Sequence, residues 1–172
     1  MAKVELQIKG REALQRRLNE KRQQIINYLN MHLMQLAEEA VTFSKDNKGY
    51  QDRTANLKNS ISFALYFDGE LVTSKIGDGY NSTYKDEMGR THDNPYSKDE
   101  VVQFRENALS EYATKDGVIA PRGYSLIIVA GMRYGKNVED KGYNVLHLTK
   151  YFLRDEMKKI FKEVTDIIKS DS

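Results

Sequence analysis

The chain contains no cysteine, which excludes a disulfide scaffold, thiol chemistry and thiolate metal sites, and which suits a protein made in a reducing cytoplasm. It also lacks a long apolar run. Nothing approaches the roughly 20 consecutive apolar residues that span a bilayer, and the start, Met1-Ala-Lys-Val-Glu-Leu-Gln-Ile-Lys9, has no signal-peptide core, so a soluble, unexported protein with no membrane partner is expected. Charge of one sign is missing as well: 27 basic residues nearly cancel 25 acidic ones, leaving +2 and no field dedicated to nucleic acid or anionic membranes. What remains is a chain of 172 residues, 40% hydrophobic, long enough for one core.

The apolar positions are ordered. Val4, Leu6 and Ile8 alternate with polar neighbours and predict a short strand, ended by Gly10. From Arg11 the spacing turns helical through Leu14, Leu18, Ile25, Leu29, Leu33, Leu36 and Ala40, a long amphipathic helix that should stop in Ser44–Gly49. Thr54 is placed to cap a short helical turn that sets Leu57 and Ile61 on one face. Ile61, Phe63, Leu65 and Phe67 alternate, Asp68-Gly69 supplies a tight turn, and Leu71, Val72 and Ile76 return, which reads as a β-hairpin.

Residues 78–123 hold both prolines, Pro95 and Pro121, and much polar sequence, so they read as an inserted arm, with a helix over Val101, Phe104, Leu109 and Tyr112. Tyr124–Ala130 is the most hydrophobic run and predicts a central strand. Leu146, Leu153, Met157, Ile160, Phe161, Val164, Ile167 and Ile168 then form a second helical stripe. The expected fold is a single α+β domain over 1–172, a small, mainly antiparallel sheet covered on one face by an N-terminal and a C-terminal helix, with the arm at about 78–123.

Motifs for chemistry are scarce. His32, His92 and His147 fall in separate elements without metal-ligand spacing, the acidic pairs Glu38-Glu39, Asp86-Glu87 and Asp99-Glu100 are sequence neighbours that do not converge, and no phosphate loop or nucleophile elbow is present. No catalytic centre, cofactor or metal is expected, and a hydrolase would need a nucleophile, base and orienting group that the sequence does not supply. The early helix does carry Arg11, Arg16, Arg17, Lys21 and Arg22 against Glu12 and Glu20. A solvated face explains them most simply; around a pore they would touch passing DNA phosphates without reading sequence.

Two stretches add a resemblance. Asp52-Arg-Thr-Ala-Asn-Leu-Lys-Asn-Ser-Ile61 is similar to the threonine-glycine-x-leucine-basic-x-serine-isoleucine segment of phage tail-completion and head-tail joining proteins. Val129-Ala-Gly-Met-Arg-Tyr-Gly-Lys-Asn-Val-Glu139, followed by Lys141-Gly142, resembles that family's segment ahead of its last helix, in the same order. Ala55 stands for the usual glycine and Gly135 where alanine is common, and the long arm is not a standard family feature. The resemblance implies a virion structural protein, assembled in the host cytoplasm, that forms a homo-oligomeric ring in the neck and joins the DNA-filled capsid, through its portal complex, to the tail, with tail completion as the first position and head closure or tail termination as the alternatives.

In that reading Arg53, Thr54, Leu57, Tyr134, Val138 and Glu139 are the subunit-interface candidates. The apolar ones serve equally well to dock a turn on the sheet, whereas Arg53 and Glu139 carry opposite charges suited to meeting between neighbours. The arm, rich in tyrosine and charge, is expected to reach a neighbouring subunit or ring and to order on binding. The competing class is a cytosolic nucleic-acid-binding module, suggested by the basic helix and a pI near 8.6.

Overall fold

The computed structural model describes residues 10–170, so the strand expected at Val4–Ile8, with Lys3 and Lys9, lies outside the described residues. The first helix, α1, runs from Arg11 to Asp46, and its last turn closes where small and polar residues end the apolar spacing, with the Asn47 amide bonded to the Phe43 carbonyl. A 3₁₀ turn at Lys58–Ser60 leads into β1, Ile61–Phe67, which pairs antiparallel with β2, Glu70–Lys75. Asp68 and Gly69, at φ +50° and +87°, make the two-residue turn between them, the left-handed pair that a tight hairpin requires. Two short strands follow, β3 at Thr83–Lys85 and β4 at Thr91–Asp93, then α2 at Lys98–Ala113, β5 at Tyr124–Ala130, α3 at Gly135–Asp140 and α4 at His147–Ser170.

The fold class is the expected α+β one, with three differences inside it. The hydrophobic run Tyr124–Ala130 is an edge strand, not the central one, because the main sheet has the order β2-β1-β5. Its composition reports burial of two faces, which is independent of lateral position in the sheet: Tyr124 and Leu126 pack toward α1 and α4, while Ile127 and Val129 pack with Leu109 of α2. The sheet is therefore covered on both faces rather than one. The centre belongs to β1, where Leu65 joins Leu29, Leu33, Leu36, Ile160 and Val164 on one side and Ala64 joins the α2 layer on the other.

The arm is accordingly not wholly an excursion from the sheet, since α2 packs on it. Within it α2 starts at a full capping box, in which Ser97 and Glu100 exchange side-chain and backbone bonds, and it buries Val101, Arg105 and Leu109. Arg105 donates to the carbonyls of Gly77 and Gly79 at 3.0 and 2.6 Å, tying the entry to the arm to α2. The β3-β4 ribbon projects further, its tip held by Asp86, which accepts from the Met88 and Arg90 amides and the Arg90 guanidinium and meets the His92 ring at 2.9 Å.

One departure concerns α1. Leu14 and Leu18 belong to the helical stripe, yet they are 60% and 61% exposed, and residues 10–20 are exposed throughout. The stripe is buried only from Ile25 onward, where α4 packs antiparallel along it through Val164 and Ile160. No helix among the described residues is long and apolar enough to cross a membrane.

This division of α1 has a measurable consequence. Leu33→Ala, which empties space at the meeting point of α1, α4 and β1, should lower unfolding free energy by about 2–5 kcal/mol in urea titration, whereas Leu14→Ala should change it by less than about 0.5 kcal/mol.

Candidate functional site

The antiparallel pairing of β1 with β5 sets Ile61 opposite Ala130, so the segment that enters β1 lies beside the segment that leaves β5. Gly131 donates to the Ser60 carbonyl at 3.0 Å and Met132 to the Ser60 hydroxyl at 3.4 Å, which fastens the two. Leu57 is buried against Met132, Tyr134 and Val138, and a Cβ on Gly135 would come within 3.1 Å of the Leu57 side chain. At this junction, closed on its third side by the arm, is a cavity of about 330 Å³ lined by Tyr50, Asp52, Arg53, Thr54, Leu57, Tyr84, Pro95, Tyr96, Tyr134 and Val138.

Its walls are fixed from several directions. Asn144 donates to the Asn47 carbonyl at 2.6 Å and accepts from Gly49 at 3.0 Å, holding the loop after α1 against the start of α4. The buried Ser44 and Thr149 hydroxyls meet at 2.6 Å on the same seam. Asn56 and Asn94 exchange reciprocal amide bonds of 2.9 and 3.1 Å, and the Asn94 Oδ1 also accepts from the Tyr96 amide, so the arm is clamped over the cavity. The Tyr96 ring stands nearly parallel to Tyr134 at 6.5 Å and edge-on to Phe104 at 5.6 Å.

Electrostatically the cavity is unusual in what it leaves unpaired. The Tyr50 hydroxyl and Asp52 Oδ2 are buried and have no hydrogen-bond partner. Lys48 stands 4.0 Å from Asp52 Oδ2, close enough for attraction but too far for a hydrogen bond, and 5.5 Å above the Tyr50 ring. Burial raises the Asp52 carboxyl above its ordinary range, an effect that Lys48, Lys58 and the Ala55 amide only partly oppose. Burial likewise pushes the phenols of Tyr50 and Tyr134 up, with the Asp52 charge adding to both.

Of the six interface candidates, Arg53, Thr54, Leu57, Tyr134 and Val138 are brought together on this cavity, Arg53 exposed at its rim. Glu139 is used within its own chain. Its carboxylate accepts from the amides of Val145, Leu146 and His147 at 2.7, 3.0 and 2.9 Å, closing the first turn of α4 from outside. Thr54 does receive the Asn56 amide on its hydroxyl at 3.3 Å, but Ala55 sits at φ +60°, so no regular helix starts there; Leu57 precedes the 3₁₀ turn and Ile61 already belongs to β1.

Arg11, Arg16, Arg17 and Arg22 are exposed along the first turns of α1, with Lys21 half-buried, at the end of that helix opposite the cavity. The 36 residues of α1 extend about 54 Å. His32 packs on Tyr28, His92 on Tyr84 and His147 on Tyr151, and no group of three or more metal-ligating side chains occurs among the described residues.

Tyr50, Tyr84 and Tyr96 were not singled out by sequence, nor was Asp52 as a site residue. Tyr50 and Asp52 adjoin the first motif, so proximity was the available signal; Tyr84 and Tyr96 reach the cavity only through the Asn56–Asn94 clamp, which no local pattern announces. Comparison of the chain with known protein families, with curated proteins and with solved structures gives no significant match.

Two outcomes follow for stability. Ala55→Gly relieves a left-handed backbone position that alanine tolerates poorly and should raise unfolding free energy by about 1 kcal/mol. Asp52→Asn should raise the melting temperature at neutral pH. A folded-state pKa above the unfolded one means that folding favours the protonated acid, so stability falls as pH rises from the unfolded pKa through the folded one; the gain from asparagine should vanish below the ordinary aspartate range, where both forms are protonated.

Proposed function

We propose that this chain is a virion structural subunit that forms a ring in the neck of a tailed phage and joins the DNA-filled capsid to the tail, with tail completion as its position. The observation that carries the reading is the meeting of the two resembling segments: far apart in sequence, they share one cavity and touch through Leu57 and Gly135.

The departures from the family pattern fit the same picture. Ala55, which stands for the usual glycine, occupies a backbone conformation that glycine prefers. Gly135 stands where alanine is common, and an added methyl there would press on Leu57 at 3.1 Å, a contact that a small shift of a flexible side chain relieves. A ring of identical copies also needs two different surfaces on each subunit, and the cavity and the basic end of α1 lie at opposite ends of the longest helix.

The nucleic-acid-binding alternative rests on the exposed arginines of α1. Glu12 and Glu20 are interleaved with them and the whole chain carries only +2, which favours the assembly reading over a dedicated DNA-binding module.

Deleting the reading frame from the phage that encodes it should yield DNA-filled heads and finished tails that remain separate in electron micrographs. Infectious particles of normal form would overturn the proposal.

A further inference from the structure

Between the cavity at one end of α1 and the basic helix end at the other there is a chemical complementarity. Inside the cavity, the Asp52 side chain is only 7% exposed, its Oδ2 has no hydrogen bond, and the neighbouring Tyr50 hydroxyl is equally unpartnered. Two buried acceptors left open, within walls made of tyrosine rings, describe a receptor for a cation: the carboxylate supplies charge, the phenol a second lone pair, and the Tyr96 and Tyr134 faces a surface for a flat cationic group. Arginine meets these demands better than lysine, because its planar fork donates to two acceptors at once and stacks on aromatic rings.

The cations already present do not satisfy the site. Lys48 approaches Asp52 without hydrogen-bonding to it, Lys58 acts on it only through its charge, and Arg53 is exposed at the rim. Lys48 is instead the group that an incoming guanidinium would displace, exchanging a 4.0 Å contact for a direct bond.

At the far end of α1, Arg11, Leu14, Leu18 and Arg22 follow one another at intervals of three and four residues and so share one helix face. Both leucines are more than half exposed, which leaves an apolar strip bracketed by arginines. The cavity lining offers apolar cover of the matching kind in Pro95, Val138 and Tyr84. A helix about 54 Å long separates the two features, so they cannot meet within one chain. Between copies they can, and where the contact runs head to tail it is heterologous, the kind that makes a ring when the rotation between neighbours closes.

Resting on the ring reading above, we infer that the tyrosine-walled cavity around Asp52 receives an arginine, Arg11 or Arg22, from the projecting α1 end of a second copy of this chain. The contact also covers Leu14 and Leu18, which a single copy leaves exposed. Asp52, which opposes folding in the isolated subunit, becomes a favourable group once paired.

The test has two arms on the full chain. In the first, N-acetyl-arginine-amide is titrated while the ring resonances of Tyr50, Tyr96 and Tyr134 are followed by NMR. Saturable shifts are expected with this probe and not with its uncharged citrulline analogue; Asp52→Asn should weaken binding at least about tenfold, and Lys48→Met should tighten it. Absence of saturation, equal binding of the citrulline probe, or indifference to Asp52→Asn would overturn the receptor. In the second arm, the absence of native cysteine is used: Gln15→Cys, exposed beside Leu14 on α1, and Gln51→Cys, in the cavity lining, combined in one chain should give a ladder of disulfide-linked oligomers on mild oxidation, while a mixture of the two single variants should give heterodimers of those two variants. A site that binds the arginine probe without such cross-links would overturn the second copy as occupant and indicate an arginine of another protein. Neither arm depends on phage particles, so their failure is distinguishable from failure of the neck assignment.

Discussion

The antiparallel register that sets Ile61 against Ala130 is the constraint on which the rest depends. It brings the entry to β1 and the exit from β5 to the same end of the sheet, and the loop after α1 and the start of α3 have to meet there. Ser60 secures the junction by accepting from Gly131 with its carbonyl and from Met132 with its hydroxyl. A parallel pairing of the same strands would send the two segments to opposite ends of the sheet. Leu57 would then lose Tyr134 and Val138, and the cavity would not form.

Around that junction several polar groups spend their hydrogen bonds on holding the fold, while two residues that line the cavity each keep a buried atom unpaired. Glu139 gathers three amides at the start of α4, Asn144 joins both long helices, and the Asn56–Asn94 pair fixes the arm. Each carries polar valence that a buried segment has to place. Tyr50 and Asp52 do the opposite, since their open atoms are buried and unpaired and therefore oppose folding. Such a charge is tolerable because the surrounding core is extensive, and it acquires a use when a partner supplies the missing donor.

The same contrast distinguishes the two parts of α1. From Ile25 to Ala40 the helix is held by α4 and β1, and its stripe is core. Before that, Leu14 and Leu18 continue the helical spacing but are exposed to solvent. Local sequence makes both parts helical, but among the described residues only the part from Ile25 to Ala40 is buried against other elements, and the difference is one of tertiary surroundings rather than of propensity.

Periodicity determined a good deal: the long helix and its end near Asp46, the hairpin over Asp68-Gly69, the helix inside the arm and the last amphipathic helix all follow from spacing and turn chemistry, which act over a few residues. So did the two motifs, as strings. Tertiary structure alone decided that the most hydrophobic strand lies at an edge, that α2 covers the second face of the sheet, that Glu139 caps a helix of its own chain, and that Tyr50, Asp52, Tyr84 and Tyr96 belong to one site. The physical reason is common to these: an apolar run reports how much of a segment is buried but not by which neighbour, and a tyrosine or aspartate shows its partners only after long-range pairing has chosen them.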